Sequence, residues 1–115
     1  MQDKPLYTLD KLKEIDDAED FILQVINIFL ETVPANTEAL QKACDEKNWE
    51  QVYFFAHKIK ANVNLLAIDS ICDDVKYVEH CAKTLTSLED TPSKVKHIHS
   101  TVKHVAQVLK NDFGL

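Results

Sequence analysis

A chain of 115 residues can bury roughly 60 to 70% of its unfolded surface around one shared core, without metal or disulfide staples. Its 19 acidic residues face 13 lysines and no arginine, giving a formal charge of -6; with no basic cluster to form a positive face, a nucleic-acid partner is excluded. Cys44, Cys72 and Cys81 cannot all pair within the chain and read as small buried or half-buried hydrophobes of a reducing compartment.

The opening Met1-Gln2-Asp3-Lys4-Pro5 has no apolar stretch of the signal-peptide kind, and apolar runs elsewhere span only a few residues. The expectation is a soluble cytoplasmic protein with no membrane contact, folded as a single domain over residues 1–115. One glycine, Gly114, and three prolines, Pro5, Pro34 and Pro92, leave long stretches in which apolar residues recur near every 3.6 positions. The alternation and turn glycines of β structure are absent, so the fold class is all-α.

In chain order, Thr8 or Asp10 caps a short helix to about Glu14, with Leu9, Leu12 and Ile15 as its sticky side. Asp17 precedes a longer helix with Phe21, Ile22, Val25, Phe29 and Val33 at core spacing, and Pro34 bends or ends it. A third helix runs from about Pro34 to Glu46 and buries Leu40, Ala43 and Cys44. Asn48 with Gln51 resembles a capping box opening a helix to about Leu66, with Val52, Phe55 or Ala56, Ile59 and Val63 inside.

Asp69 or Ser70 caps the next helix, whose inner stripe is Ile71, Val75, Val78, Ala82 and Leu85. Thr91 caps and Pro92 opens the last, with Val95, Ile98, Val102, Val105 and Leu109 inward. Four of these helices span roughly four or more turns, and short joints make sequential neighbours antiparallel. The architecture expected is an up-down-up-down four-helix bundle covered by a short additional N-terminal helix.

The most informative segment is Phe55-Ala56-His57-Lys58-Ile59-Lys60-Ala61-Asn62. At about 100° and 1.5 Å per residue, Lys60, Ala61 and Asn64 share the wet face of His57, while Ala56, Ile59 and Val63 point elsewhere. A neutral imidazole has a nucleophilic nitrogen that can carry a phosphoryl group. Lys60, helped from the side by Lys58, can offset the product's charge. Ala61 leaves room for a partner to bring reacting atoms within ~3 to 3.5 Å. With its single glycine at 114 the chain has no phosphate-cradling loop, and Ser70, Ser87, Ser93 and Ser100 sit in no nucleophile-elbow motif, so another protein must complete the chemistry.

Ala56-His57-Lys58-Ile59-Lys60-Ala61 resembles the alanine-histidine-x-leucine-lysine-glycine signature of histidine-containing phosphotransfer (HPt) domains of multistep two-component phosphorelays. The similarity extends over nearly the whole chain: a short leading helix, the Phe21 to Val33 helix, the Trp49 entry, and an acid-rich helix with Val78-Glu79-His80 where the family often has leucine-glutamate. By position, His57 matches the phosphoacceptor and Lys60 the supporting lysine. Ala61 stands where glycine is usual, Asn62 where serine or alanine is frequent, and Leu66-Ala67 where glycine-alanine is frequent.

The resemblance implies a phosphocarrier relaying phosphate between the receiver-domain aspartates of a hybrid sensor kinase and of a response regulator. It implies no ATP-dependent kinase activity, no cofactor beyond the Mg2+ held by the partner receiver, and a monomer. Tyr53, Phe54, Lys58, Ala61 and Asn64 are the docking candidates around His57. The rival readings are a bundle that binds a receiver without carrying phosphate, and a metal-binding bundle. For the latter, His97 and His104 lie seven apart on one face, but His99 points away and no further ligand completes a shell. The acid pairs Asp16-Asp17 and Asp73-Asp74 read as helix-start charges.

Overall fold

A computed structural model describes residues 6–115; the expectation about Met1 to Pro5 lies outside the described residues. Among these are five helices and no strand: α1 (Asp10–Ile15), α2 (Glu19–Asp45), α3 (Trp49–Leu65), α4 (Asp69–Thr84) and α5 (Thr91–Phe113). The four long helices form an up-down bundle in which α2 and α4 each pack against both α3 and α5. Each long helix presents one apolar stripe to a common core, the arrangement that buries all four stripes at once.

The main departure from expectation is at Pro34. Residues 34–46 form no separate helix; α2 runs unbroken through the proline. A proline inside a helix removes a backbone hydrogen bond and costs about 3 kcal/mol. Here the buried stripe Ile22, Ile26, Phe29, Val33, Thr37, Leu40, Cys44 steps by three and four across Pro34 without losing register. Tertiary burial on both sides therefore outweighs the local cost. The Thr37 hydroxyl donates to the carbonyls of Val33 (2.9 Å) and Pro34 (2.8 Å), so its polar atom is satisfied within the core.

Helix closure makes use of left-handed residues where glycine is scarce. Lys47, Ala67 and Leu85 have φ of 56°, 49° and 56°, and Gly114 has 65°. After each, the next amide reaches back to close the last turn: Asn48 to Ala43 O, Ile68 to Val63 O, Thr86 to Cys81 O and Leu115 to Lys110 O, at 2.9 to 3.2 Å. This is the Schellman closure repeated at all four long helices. It also moves Leu85 out of the expected inner stripe, 63% exposed as the C-cap of α4.

A side chain in the left-handed region costs about 1 to 2 kcal/mol, partly offset because glycine adds entropy to the unfolded chain. Ala67→Gly should therefore stabilise the fold by about 0.5 to 1 kcal/mol. Denaturant unfolding checks this, and a midpoint that falls would contradict it.

Of the expected caps, Asn48 is realised: the Gln51 amide donates to Asn48 Oδ1 at 3.3 Å. The N-caps of α1, α2 and α4 are Leu9, Ala18 and Ile68, without side-chain bonds to the helix. The cap of α5 is Asp90; Thr91 is already helical and wholly buried. In α1 only Leu12 is buried, while Ile15 is 66% exposed because the chain turns to extended backbone at Asp16.

The segment leading into α1 closes one end of the bundle. Thr8 N–H donates to Leu66 O at 2.8 Å and Lys11 Nζ to Asn64 O at 2.9 Å. The Tyr7 hydroxyl donates to Asp112 Oδ2 on α5 at 2.7 Å; burial and this bond push its pKa up to about 12. The cover thus holds the C-terminal ends of α3 and α5.

Candidate functional site

α3 carries the site because its inner stripe, Val52, Ala56, Ile59 and Val63, is buried, which fixes the helix rotation. His57 follows Ala56 and projects outward with 61% of its side chain exposed. Tyr53, one turn earlier and half-buried, stacks on the imidazole at 5.9 Å between centroids and 19° between planes. Lys60 lies one turn later, and Ala61 beside it is exposed.

The residue that organises the site comes from α4. Glu79 Oε2 meets His57 Nδ1 at 2.5 Å and Oε1 accepts from Lys60 Nζ at 2.7 Å. Its side chain is only 14% exposed. Burial raises the Glu79 pKa, but hydrogen bonds from Lys60 and His57, with their charges, outweigh it and hold the carboxyl below its ordinary value. The group is therefore a carboxylate at neutral pH.

A carboxylate only accepts, so the hydrogen in the short contact belongs to Nδ1. In the neutral ring the lone pair then sits on Nε2, the nitrogen away from Glu79. The arrangement presents a fixed nucleophilic nitrogen, oriented by a charge anchored on the neighbouring helix. Lys60, expected from sequence to offset the product's charge, is here engaged by Glu79.

Phe54 is 49% exposed, on the outer surface of α3. Lys58 Nζ lies 5.4 Å from the centre of its ring, and Phe55 meets it edge-on at 5.0 Å. Asn64 is half-buried, its carbonyl taken by Lys11. Of the expected site residues, His57, Lys60 and Tyr53 come together; Phe54 and Lys58 pair alongside, and Ala61 leaves the approach to the ring open.

Sequence reasoning finds Glu79 but gives it no role. A signal is available: Glu79 lies four residues after buried Val75 and three before buried Ala82. An acid bordering a buried stripe needs a partner, and the facing helix supplies two.

The remaining histidines are distributed differently. His97 Nδ1 meets Asp74 Oδ2 at 2.6 Å and His99 Nε2 meets Glu38 Oε1 at 2.7 Å. Among the described residues no three His, Cys, Asp or Glu side chains converge on a metal position. The three cysteines are unpaired; burial pushes the Cys44 and Cys72 thiols up. No helix among the described residues is long and apolar enough to cross a membrane.

Fold and site together define a compact helical bundle that displays a carboxylate-anchored imidazole. In comparisons with known proteins the chain matches no family model, no curated protein and no solved structure.

Proposed function

We propose that the protein is a histidine phosphotransfer carrier, with His57 as the phosphoacceptor. The observation that carries this reading is the shared carboxylate: Glu79 holds His57 Nδ1 and Lys60 Nζ together, on a histidine whose side chain is 61% exposed. In the forward step Nε2 attacks the phosphorus of an aspartyl phosphate on a receiver domain. The N–P bond forms as the P–O bond to the aspartyl oxygen breaks, and the donor leaves as a carboxylate. Nδ1 keeps its hydrogen throughout, so no proton has to be removed.

The product is a phosphorylated imidazolium whose positive ring is stabilised by Glu79. Lys60 Nζ can then turn from Glu79 toward the phosphoryl oxygens. Attack by the aspartate of a second receiver returns the ring to its starting state, which makes the protein a relay between a hybrid sensor kinase and a response regulator. The protein needs no metal of its own for this; Mg2+ belongs to the receiver. Phe54, Lys58, Tyr53, Ala61 and Asn64 form the docking surface, with exposed Phe54 as its apolar anchor. The reading takes the protein to be a cytoplasmic monomer.

The test is transfer from a phosphorylated receiver domain, with the acid-labile, base-stable phosphate mapped by mass spectrometry. His57→Gln should fold and still bind the receiver but take no label. Full labelling of that variant would sink the reading. Wild-type protein that binds a receiver without accepting phosphate would favour an adaptor instead.

A further inference from the structure

α4 anchors two imidazoles, and the second has no place in the relay just described. Asp74 and Glu79 are five positions apart on α4, about 140° around the helix, so one faces α5 and the other α3. Asp74, with a side chain only 16% exposed, meets His97 Nδ1 at 2.6 Å and Lys94 Nζ at 3.4 Å. The same pieces recur as at His57: a carboxylate on α4, a histidine held through Nδ1, and a lysine one turn away on the same carboxylate. The aromatic neighbour differs: Tyr53 stacks on the His57 ring, whereas Tyr77 lies against the lysine, its ring centre 5.7 Å from Lys94 Nζ.

The chemistry follows from the same accounting. Asp74 accepts, so Nδ1 donates and the neutral ring's lone pair is on Nε2. The His97 side chain is 50% exposed. Its helix neighbours one turn away, Ser93 and Ser100, are small and exposed, so the ring is open to a phosphorus electrophile. His99 forms a contrast: it is bound through Nε2 to an outlying Glu38 that is 70% exposed, which occupies the nitrogen that would react.

The geometry points to His97 as a second phosphoryl-acceptor site, reacting through Nε2 with small phosphoryl donors such as acyl phosphates or phosphoramidate. With phosphoramidate the N–P bond to Nε2 forms as the donor's own P–N bond breaks, and ammonia leaves. Nδ1 keeps its hydrogen and Asp74 neutralises the imidazolium. Asp73 and Asp90 line the groove beside Asp74 and repel a phosphoryl anion, so His97 reacts more slowly than His57. The inference shares its chemistry with the proposed function but requires no receiver.

The experiment is phosphoramidate treatment of wild type, His57→Gln, His97→Gln and the double variant, with phosphate located by tandem mass spectrometry at alkaline pH. His57→Gln should retain label at His97, and the double variant should carry at least tenfold less. Label in His57→Gln that drops to the double-variant level, or spreads evenly over His80, His99 and His104, overturns the proposal. Asp74→Asn should lower labelling at His97 while that at His57, an internal check on folding, is unchanged; equal labelling at His97 would also overturn it. Failure of the relay is read separately, as no receiver-dependent label at His57 while phosphoramidate still labels His97; phosphoramidate label at His57 without His97 overturns this site and leaves the relay standing.

Discussion

Glu79→Ala should lower the rate of phosphoryl transfer to His57 by roughly 10- to 100-fold while leaving the bundle folded. The magnitude follows from orientation: a reacting group freed from its fixed geometry, even by about 1 Å, loses up to about 10²-fold. Without the carboxylate, the ring gains rotational freedom and either nitrogen can carry its hydrogen. Glu79→Gln is the sharper variant. His57 and Lys60 use different oxygens of Glu79; in the amide one of these positions becomes an NH2, which cannot accept and can donate to the ring, shifting the lone pair to Nδ1. Single-turnover transfer with side-chain ¹⁵N spectra separates the cases, and wild-type rates in both variants would remove Glu79 from the mechanism.

The same carboxylate makes a pH-dependent contribution to stability. Its pKa is lower in the folded protein than its ordinary value, so the stabilisation is fully present above the usual carboxylate range and lost as pH falls through the depressed folded value. Because His57 and Lys60 are partly exposed, solvent screening keeps this contribution to about 1 kcal/mol or less. The expected effect of Glu79→Ala on transfer is therefore far larger than its effect on folding.

Phe29→Ala should do the opposite. Phe29 is 2% exposed at the middle of α2, on the stripe that carries the helix through Pro34. Removing a buried phenylalanine costs about 3 to 5 kcal/mol, the lost transfer energy plus the cavity left behind. That is a large share of the 5 to 15 kcal/mol typical of such folds, on the order of a third or more. The variant's denaturation midpoint should fall steeply, whereas molecules that remain folded should accept phosphate at close to the wild-type rate. A loss below 1 kcal/mol would mean that the stripe through Pro34 does not hold α2 together.

What the residue pattern makes legible, and what it does not, divides along a physical line. Apolar spacing near 3.6 locates the long helices, and the stripe Ala56, Ile59, Val63 is by itself enough to turn His57 outward. Local rules misjudge Pro34, because proline's preference is a statement about an isolated helix and the core stripe on both sides overrules it. Periodicity alone places Leu85 inside, although the chain turns left-handed there to close α4. It also selects Val25, which is only half-buried, over its neighbour Ile26, which is wholly buried.

The site divides in the same way. His57, Lys60 and Ala61 lie within one and a half turns of one helix, so spacing brings them together. Glu79 is 22 residues from His57, and no local spacing encodes a contact between α3 and α4. The same holds for Asp74 and His97, 23 apart. Both pairs depend on the rotation of α4, which is fixed by buried Ile71, Val75, Val78 and Ala82.

In the proposed relay His57 accepts phosphate on Nε2 while Glu79 retains the hydrogen on Nδ1. Long-range ¹H–¹⁵N correlation of the protein after transfer from a phosphorylated receiver measures both nitrogens at once. The expected spectrum shows a His57 ring phosphorylated at Nε2 and protonated at Nδ1. An unmodified His57, or one carrying phosphate on Nδ1, would contradict it.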